Sequence, residues 1–486
     1  MCMKKKEIVG LVHGVFDVLH YGHVLHFKAA RKKVDKLICS VTDDKYVDKG
    51  PEKPLFKISE RIEFLKNLKF FDEVVISNAA TAVNIIKKYN PDFYFKGIEY
   101  KNKALSDNNL KSEIKALNSA KSKIIYIDTK IYSSSKIINN KFGFISNKLL
   151  KQIKNLKKDI LKFKSKKFYF YNSSNLLIGE NIIDKYLYTT ISGKSNKSPI
   201  VSTLKRSEIT YGGGVIIPAN FFARFIKKIS LITFVGKAFS LSLKRFLDKK
   251  IKKYSTKVVN YPIIKTRILD EYSKNKLFQI TENEDHKINQ SDVNKVIKLI
   301  KQKGSQYENI IFFNYGYQFV DREILSCLKK FKSKILINFQ TNSYNYGFNL
   351  LNKFPSAKFV SMDELEFRLA VSDKHTKMSE LIKKKINILK KYKTSVITAG
   401  KNGAYLIENK KIFHFDPVYK NLNDSTGCGD IFMSTFIVYK YVYKFSSKFS
   451  MIVAHIAAGI HGNDIGNNLN IDRDKLNRIV SKVINV

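Results

Sequence analysis

Two histidines three residues apart, His20 and His23, flank Tyr21-Gly22 shortly after a glycine-bounded apolar run, Gly10-Leu-Val-His-Gly14. Residues three apart at the start of a helix share a face, so both imidazoles can serve one ligand. Gly22 lets a phosphate approach the backbone. The first helical turn adds free N–H groups and a partial positive charge. Such a site suits the charge that develops on an α-phosphate during nucleotidyl transfer. The spacing by itself leaves core histidines and a lone metal-ligand pair open as well. A second cluster, Asp424-Ser-Thr426-Gly427-Cys428-Gly429-Asp430, precedes an apolar stretch. Successive N–H groups at such a turn form an anion hole for a transferring γ-phosphoryl group. A carboxylate at the helix start can take the proton of an attacking hydroxyl.

The elements around the first cluster alternate. Strands are expected at Glu7–His13, Lys36–Thr42, Asp72–Ser77, Phe93–Lys96 and Lys123–Asp128, with helices at 22–33, 59–69, 79–89 and 107–119. This alternation predicts a parallel sheet covered by helices on both faces, with ligands beyond the C-terminal strand ends. Residues 146–167 have the pattern of a basic amphipathic helix, expected to connect two domains while packing on one. A new strand-led unit begins near Phe168. The expected domains are therefore 1–145, a linker helix over 146–167, and 168–486.

A chain of 486 residues is too long for one ordinary core. No eighteen-residue apolar run predicts a transmembrane helix, and the N terminus lacks the apolar stretch of a cleavable signal, so a cytoplasmic location is expected. The four cysteines are scattered, which argues against a disulfide framework or a structural zinc site. The formal charge is +46, but lysine is spread along the whole chain. Solvated faces and anionic small substrates account for it, and no nucleic-acid partner is expected.

Residues Gly14-Val-Phe16-Asp17…His20-Tyr-Gly22-His23 resemble the GxFDxxHxGH motif of the cytidylyltransferase-like superfamily. Lys49-Gly50 with Pro54, and Ser59-Glu-Arg61 followed by Phe71-Asp-Glu-Val-Val75, resemble its next segments. Pro91-Asp-Phe-Tyr-Phe-Lys96-Gly97-Ile-Glu-Tyr100 resembles the PDxxxKGxxY stretch of the heptose-phosphate adenylyltransferase branch. Ser133-Ser134-Ser135 resembles the turn that opens its last helix. The resemblance implies a Rossmann-like nucleotidylyltransferase. A sugar-phosphate oxygen would attack the α-phosphate of an NTP. His20, His23 and Lys49 would act on the phosphates, with Gly14, Phe16, Asp17, Gly22, Lys96 and the three serines binding nucleotide or phosphate. Asp17 also reads as a brace for the turn, Lys96 as a surface lysine, and His13 and His26 as structural. A helix-terminus phosphate site is blind to the base, which leaves ATP and CTP both open.

The second cluster resembles the DTxGxGD motif of the ribokinase-like (PfkB) sugar kinases. That likeness implies an α/β/α domain with a small β lid, Asp430 as base, Gly427, Cys428 and Gly429 as the anion hole, and Thr426 binding nucleotide or phosphate. It implies Thr398, Gly400 and Gly403 near the nucleotide. Asp184, Gly212, Gly213, Asn220 and Lys265 would lie near the sugar, and Asp424 and Glu366 near Mg²⁺. Its expected ligands are ATP, Mg²⁺ and a sugar or sugar phosphate, and its expected partner is a second copy through the kinase domain. Together the two halves resemble the bifunctional heptose-phosphate kinase/adenylyltransferase family in reversed domain order. That family makes an ADP-heptose-like NDP-sugar for surface polysaccharide. The chain departs from it in three places. Asn314-Tyr-Gly-Tyr-Gln318 stands for DYGKG, Asn338-Phe-Gln-Thr341 for DPKG, and Asp363 for the asparagine of TPN. These changes remove charges near sugar phosphate and nucleotide, so a kinase-like domain that only binds sugar as a sensor or scaffold is the alternative expectation.

Overall fold

The computed structural model describes residues 7–47, 54–103, 107–128, 145–166, 168, 170–194, 197–236, 245–258, 262–283, 288–317, 322–343, 345–419, 421–466 and 468–485. Lys49 and Ser133, Ser134 and Ser135 lie outside the described residues. The chain divides into two compact units, Met1–Ile145 and Ser146–Ile484. Among the described residues, no helix is long and apolar enough to cross a membrane.

The first unit is a five-stranded sheet of β1 (Val9–Gly14), β2 (Lys36–Thr42), β3 (Glu73–Ser77), β4 (Phe93–Gly97) and β5 (Lys123–Ile127). Its order is β3-β2-β1-β4-β5, and every neighbouring pair is parallel. Alternate residues serve opposite cores. Val12, Cys39 and Phe95 pack with Phe27 and Leu65 on one face, while Leu11, Ile38 and Tyr94 pack with Ile86 and Leu117 on the other. Strand order reverses at β1, so the switch point at which open α/β sheets take their ligands lies beyond the ends of β1 and β4. The helix expected from residue 79 begins at Val83. Before it, Ser77 Oγ donates to the Ala79 and Thr81 carbonyls, and Ala82 N–H donates to the buried Glu113. These side-chain bonds hold the segment in a turn.

Residues 146–165 form two helices, Asn147–Lys154 and Lys157–Ser165, rather than one. Ser146 caps the first and also donates to Asp416. Asp159 accepts from Ser446 N–H and Ser446 Oγ, which pins the second helix to the head of helix Ser447–Gly462. The break therefore follows from packing within the second unit.

That unit holds a nine-stranded sheet and a four-stranded lid. The strands in chain order are β6 (Tyr171–Gly179), β7 (Asn181–Lys194), β8 (Val201–Gly214), β9 (Ile226–Gly236), β10 (Lys252–Val258), β11 (Ile263–Asp270), β12 (Lys276–Glu282), β13 (Asn309–Asn314), β14 (Ile335–Phe339), β15 (Ala357–Asp363), β16 (Tyr392–Thr398), β17 (Ala404–Glu408) and β18 (Lys411–Phe415). The main sheet runs β10-β9-β6-β13-β14-β15-β16-β17-β18, parallel up to β16 and antiparallel beyond it. Its centre is fully covered: every residue of β13 and of β14 is buried. The lid runs β12-β11-β7-β8. Helix Cys428–Ile437 begins at the second motif and packs on the buried helix Ser447–Gly462.

Candidate active site

In the first unit, β1 ends at Gly14 and helix Tyr21–Arg31 begins at His20. The two histidines cap that helix reciprocally. His23 N–H donates to His20 Nδ1 at 3.3 Å, and His20 N–H donates to His23 Nδ1 at 3.4 Å. The rings stack with centroids 3.8 Å apart and planes 10° from parallel. Because each Nδ1 accepts, each neutral ring carries its hydrogen on Nε2. Two parallel N–H donors at a helix N-terminus form an anion clamp. Phe16, with φ of 48°, sits edge-on to His23.

Asp17 and Arg61 hold the surrounding loops. Asp17 Oδ1 accepts from Leu55 and Phe56 N–H at 2.8 and 3.0 Å, so this carboxylate braces the turn. Arg61 is buried and donates to the carbonyls of Phe56, Val15 and Thr42 and to Asp44. One guanidinium thereby ties the end of β1 to the end of β2 and the 54–57 loop. Lys96, at the end of β4, pairs with buried Glu113 at 3.1 Å and lies over the Tyr94 and Tyr100 rings. Burial, then the Lys96 charge, pulls the His26 pKa down to about 4, so His26 is neutral. His13 bonds Ser40 Oγ through Nδ1.

In the second unit, Gly427 takes φ of 76° and turns the chain into helix Cys428–Ile437. Only glycine adopts this backbone cheaply. A Cβ on Gly429 would meet no atom within 4 Å, so the loop's outer side is open. The Cys428 thiol points the other way, to the Ala458 and Asp424 carbonyls, and burial pushes its pKa up to about 12. His461 Nε2 lies 3.1 Å from the Thr426 carbonyl and steadies the loop from behind.

Asp430 occupies the first turn of this helix and is only 6% exposed. Gln340 Nε2 donates to its Oδ1 at 2.8 Å, and the Asn338 amide stands at 3.5 Å. The Tyr315 hydroxyl faces the same carboxylate outside full hydrogen-bonding geometry. Burial pushes the Asp430 pKa up to about 7. Tyr315 and Gln340 oppose the rise, Asp184 adds to it, and Lys265 opposes it. Residues of β7 and β11 in the lid therefore stand within electrostatic range of the carboxylate on the helix. Asp184 is itself bound by Arg267, and Gly213 lies so close that a Cβ there would sit 2.0 Å from Asp184 Oδ2.

The neutral residues at the departures form one network. Asn314 Oδ1 accepts from Gly316 N–H and Asn349 Nδ2. Asn349 also donates to the Gln340 carbonyl, and Asn342 and Asn345 donate to the carbonyls of Tyr315 and Gly316. Glu180, fully buried, accepts from Tyr315 and Tyr317 N–H. The strand ends beside Asp430 are thus locked by amides.

Residues 172–441, more than half of the chain, match the pfkB family of carbohydrate kinases. The chain belongs to this family. Residues 11–140 match the cytidylyltransferase-like family, which gives the first unit its class. The bifunctional protein HldE of Campylobacter fetus is 33% identical over 129 residues, 26% of this chain and 26% of that protein. The FAD synthase of Thermococcus sibiricus is 44% identical over 92 residues, 18% of this chain and 62% of that protein. The chain thus matches about a quarter of the length of the HldE relative. Phosphofructokinase-2 from Escherichia coli superposes with a TM-score of 0.53 at 14% identity, covering 65% of this chain and 100% of that one, a likeness of fold.

Within the pfkB-family unit, the expected residues divide. Asp430, Thr426, Gly427, Gly429, Asp184, Gly213 and Lys265 gather at the helix head and the lid face around it. Asp424 accepts from Thr426 and Gly466 N–H and from Lys276 Nζ. Burial would raise its pKa, but these donors hold it below the usual carboxylate range. Glu366 accepts from Thr341 N–H and Asp363 N–H, one on each oxygen, and burial pushes it up to about 8. It caps helix Glu364–Val371 and anchors the end of β14. Asn220 spends both amide atoms on Phe246 and Asp248, bracing a loop. Gly212 abuts Ile216 and Phe246. Thr398, Gly400 and Gly403 form the turn between β16 and β17, where Gly403 has φ of 85° and its Cβ would strike the Phe415 carbonyl. Sequence reasoning gave no role to Arg61, Gln340 or Lys276. Gln340 was visible as part of the altered DPKG segment, whereas Lys276 had no local signal.

Proposed function

We propose that this chain is a bifunctional enzyme. Its second unit moves the γ-phosphoryl group of ATP to a hydroxyl of a sugar or sugar phosphate. Its first unit moves a nucleotidyl group from an NTP to a sugar phosphate, forming an NDP-sugar of the ADP-heptose kind for surface polysaccharide. The observation that carries the reading is the buried Asp430 carboxyl behind the open side of the Thr426–Gly429 loop, within electrostatic reach of Asp184 and Lys265 of the lid.

In phosphoryl transfer the sugar oxygen forms a bond to the γ-phosphorus. The bond to the β–γ bridging oxygen breaks, its electron pair leaves with ADP, and the hydroxyl proton passes to Asp430. The loop N–H groups meet the charge on the transferring oxygens. Asp184 and its lid neighbours orient the sugar. Among the described residues no cluster of three metal-ligating side chains exists. One well-placed carboxylate, Asp424, suits Mg²⁺ that arrives on nucleotide phosphates and keeps waters; Mg²⁺ there would neutralise the triphosphate. In the first unit, His20 and His23 bind α-phosphate oxygens through Nε2–H while the acceptor phosphate attacks and pyrophosphate leaves.

The test is mass spectrometry of products from the full chain with ATP, CTP and a panel of sugars and sugar phosphates. ADP with a phosphorylated sugar, and pyrophosphate with an NDP-sugar, are the expected products. An Asp430→Asn variant should lose ADP formation alone. ADP formation unaffected by that change would remove Asp430 as the base. A second reading, a sugar-binding sensor in the second unit, is favoured by the neutral Asn314 and Asn338. It predicts sugar binding without ADP.

A further inference from the structure

We infer that Lys276, on lid strand β12, is a catalytic residue that carries positive charge to the transferring phosphoryl group. The inference rests on the phosphoryl-transfer reading of the second unit. Three observations support it.

Lys276 Nζ touches the anion loop itself. It lies 2.6 Å from Asp424 Oδ1 and 2.6 Å from Thr426 Oγ1. Thr426 directly precedes the Gly427–Gly429 turn whose N–H groups form the proposed anion hole. The Lys276 side chain is 38% exposed, so it can exchange partners at that place, and its ammonium neighbours the Tyr186 ring at 5.9 Å on the lid.

A register fault puts it there. Along β11 and β12, Lys265 pairs with Thr281, Arg267 with Gln279 and Ile268 with Phe278. Regular continuation would set Leu269 opposite Leu277 and turn Lys276 to the other face. Instead the ladder shifts between Ile268 and Leu269, and Leu269 pairs with Lys276. Side chains alternate along a strand, so one extra residue changes which face a side chain joins. The bulge places Lys276 on the face of Lys265, Arg267 and Leu269, where Leu269 packs with Tyr186 and Tyr211. It leaves Leu277 partly exposed.

The third observation is a gap elsewhere. The lysines of DYGKG and DPKG correspond to Tyr317 and Gln340 in this chain. Gln340 donates to the base, and Arg267 is engaged with Asp184. A transferring phosphoryl group spreads charge over three oxygens and needs cations close by. Lys276 supplies one from the lid. As phosphates enter the loop, its ammonium exchanges Asp424 for a phosphoryl oxygen and stays on it while the γ-phosphorus moves from ADP to the sugar oxygen.

The experiment measures ADP and pyrophosphate separately on the full chain, for wild type, Lys276→Gln and Lys276→Arg. Lys276→Gln should lower kcat for ADP formation about 10²–10³-fold, with the sugar KM within about threefold. Pyrophosphate formation, made by the other unit, should be unchanged, the sugar KM reports an intact second unit, and Lys276→Arg should recover part of the loss. A kcat for Lys276→Gln within about threefold of wild type, or a change in KM alone, overturns the assignment of Lys276 and leaves the kinase reading standing. No ADP from wild type with any acceptor overturns the kinase reading, and this inference with it.

Discussion

Replacing Gln340 by Leu isolates what one amide does for the base. Gln340 Nε2 donates to Asp430 Oδ1 at 2.8 Å, and burial holds that carboxyl at about 7. The donor favours the ionised form, so its loss raises the pKa further. A hydrogen bond to a charged group contributes about 1.5 kcal/mol at the low end, which corresponds to about one pKa unit. The low end applies because Asn338 still stands at 3.5 Å. Only the carboxylate can accept the sugar proton, so ADP formation must rise with pH through the pKa of Asp430. In wild type the acid limb of kcat/KM should fall near pH 7. In Gln340→Leu it should move to about pH 8. At pH 7 the ionised fraction then drops from about one half to about one tenth, a loss of about fivefold that fades by about pH 9. The assay is ADP formation against pH at sub-saturating sugar. An equal loss at every pH, with the limb unmoved, would mean that Gln340 acts through geometry alone. A limb moved downward would refute the electrostatic argument outright.

Three more outcomes follow from the geometry. His20→Asn keeps a residue able to cap the helix but removes the Nε2 donor; pyrophosphate formation should fall about 10²–10³-fold while the thermal midpoint stays put, and a large drop in midpoint with residual turnover would argue for a structural histidine. Gly213→Ala drives a Cβ to 2.0 Å from Asp184 Oδ2, so kcat/KM for ADP formation should fall about 10²-fold with pyrophosphate formation intact; unchanged sugar kinetics would detach Asp184 from the site. Cys428 faces inward with its pKa pushed to about 12, so alkylation of the native protein at pH 8 followed by peptide mass spectrometry should leave it unmodified and find it modified only after denaturation. Rapid native alkylation would show that the thiol faces the open side of the loop.

What the sequence made legible is what is local in it. The strand at Lys36–Thr42 has the expected limits, and the other first-unit strands agree within two residues. Their short apolar runs and short loops are properties of adjacent residues. Helix and loop motifs around His20 and Asp430 are read the same way, since each helix start is built from consecutive residues. Failures came where a distant partner decided. Glu113 holds Ala82, 31 positions away, and delays a helix start. Asp159 reaches Ser446 and breaks an apparently continuous helix in two. Nor did the sequence show that Asn220, expected near the sugar by its place after the glycines, closes a loop onto Phe246 and Asp248.

Gln340 and Lys276 show why substitutions in a motif need the fold before they can be judged. Read alone, the loss of two motif lysines suggests a decayed site. In the fold, the position-340 amide donates to the base, and a lysine from β12 reaches the anion loop through a bulge. On the proposed reading, charge lost at a strand end is regained on the lid. The two placements differ in consequence. A lysine at a strand end would be held by the main sheet. Lys276 instead reaches the anion loop from the edge strand of the lid, next to the strand of Lys265, so under the proposed reading its charge depends on how the lid sits over the loop. The neutral amides around Asp430 fit the same logic. They donate to or flank the Asp430 carboxylate without bringing a cation to it, which under the proposed reading leaves the charge of the phosphate site to the lid.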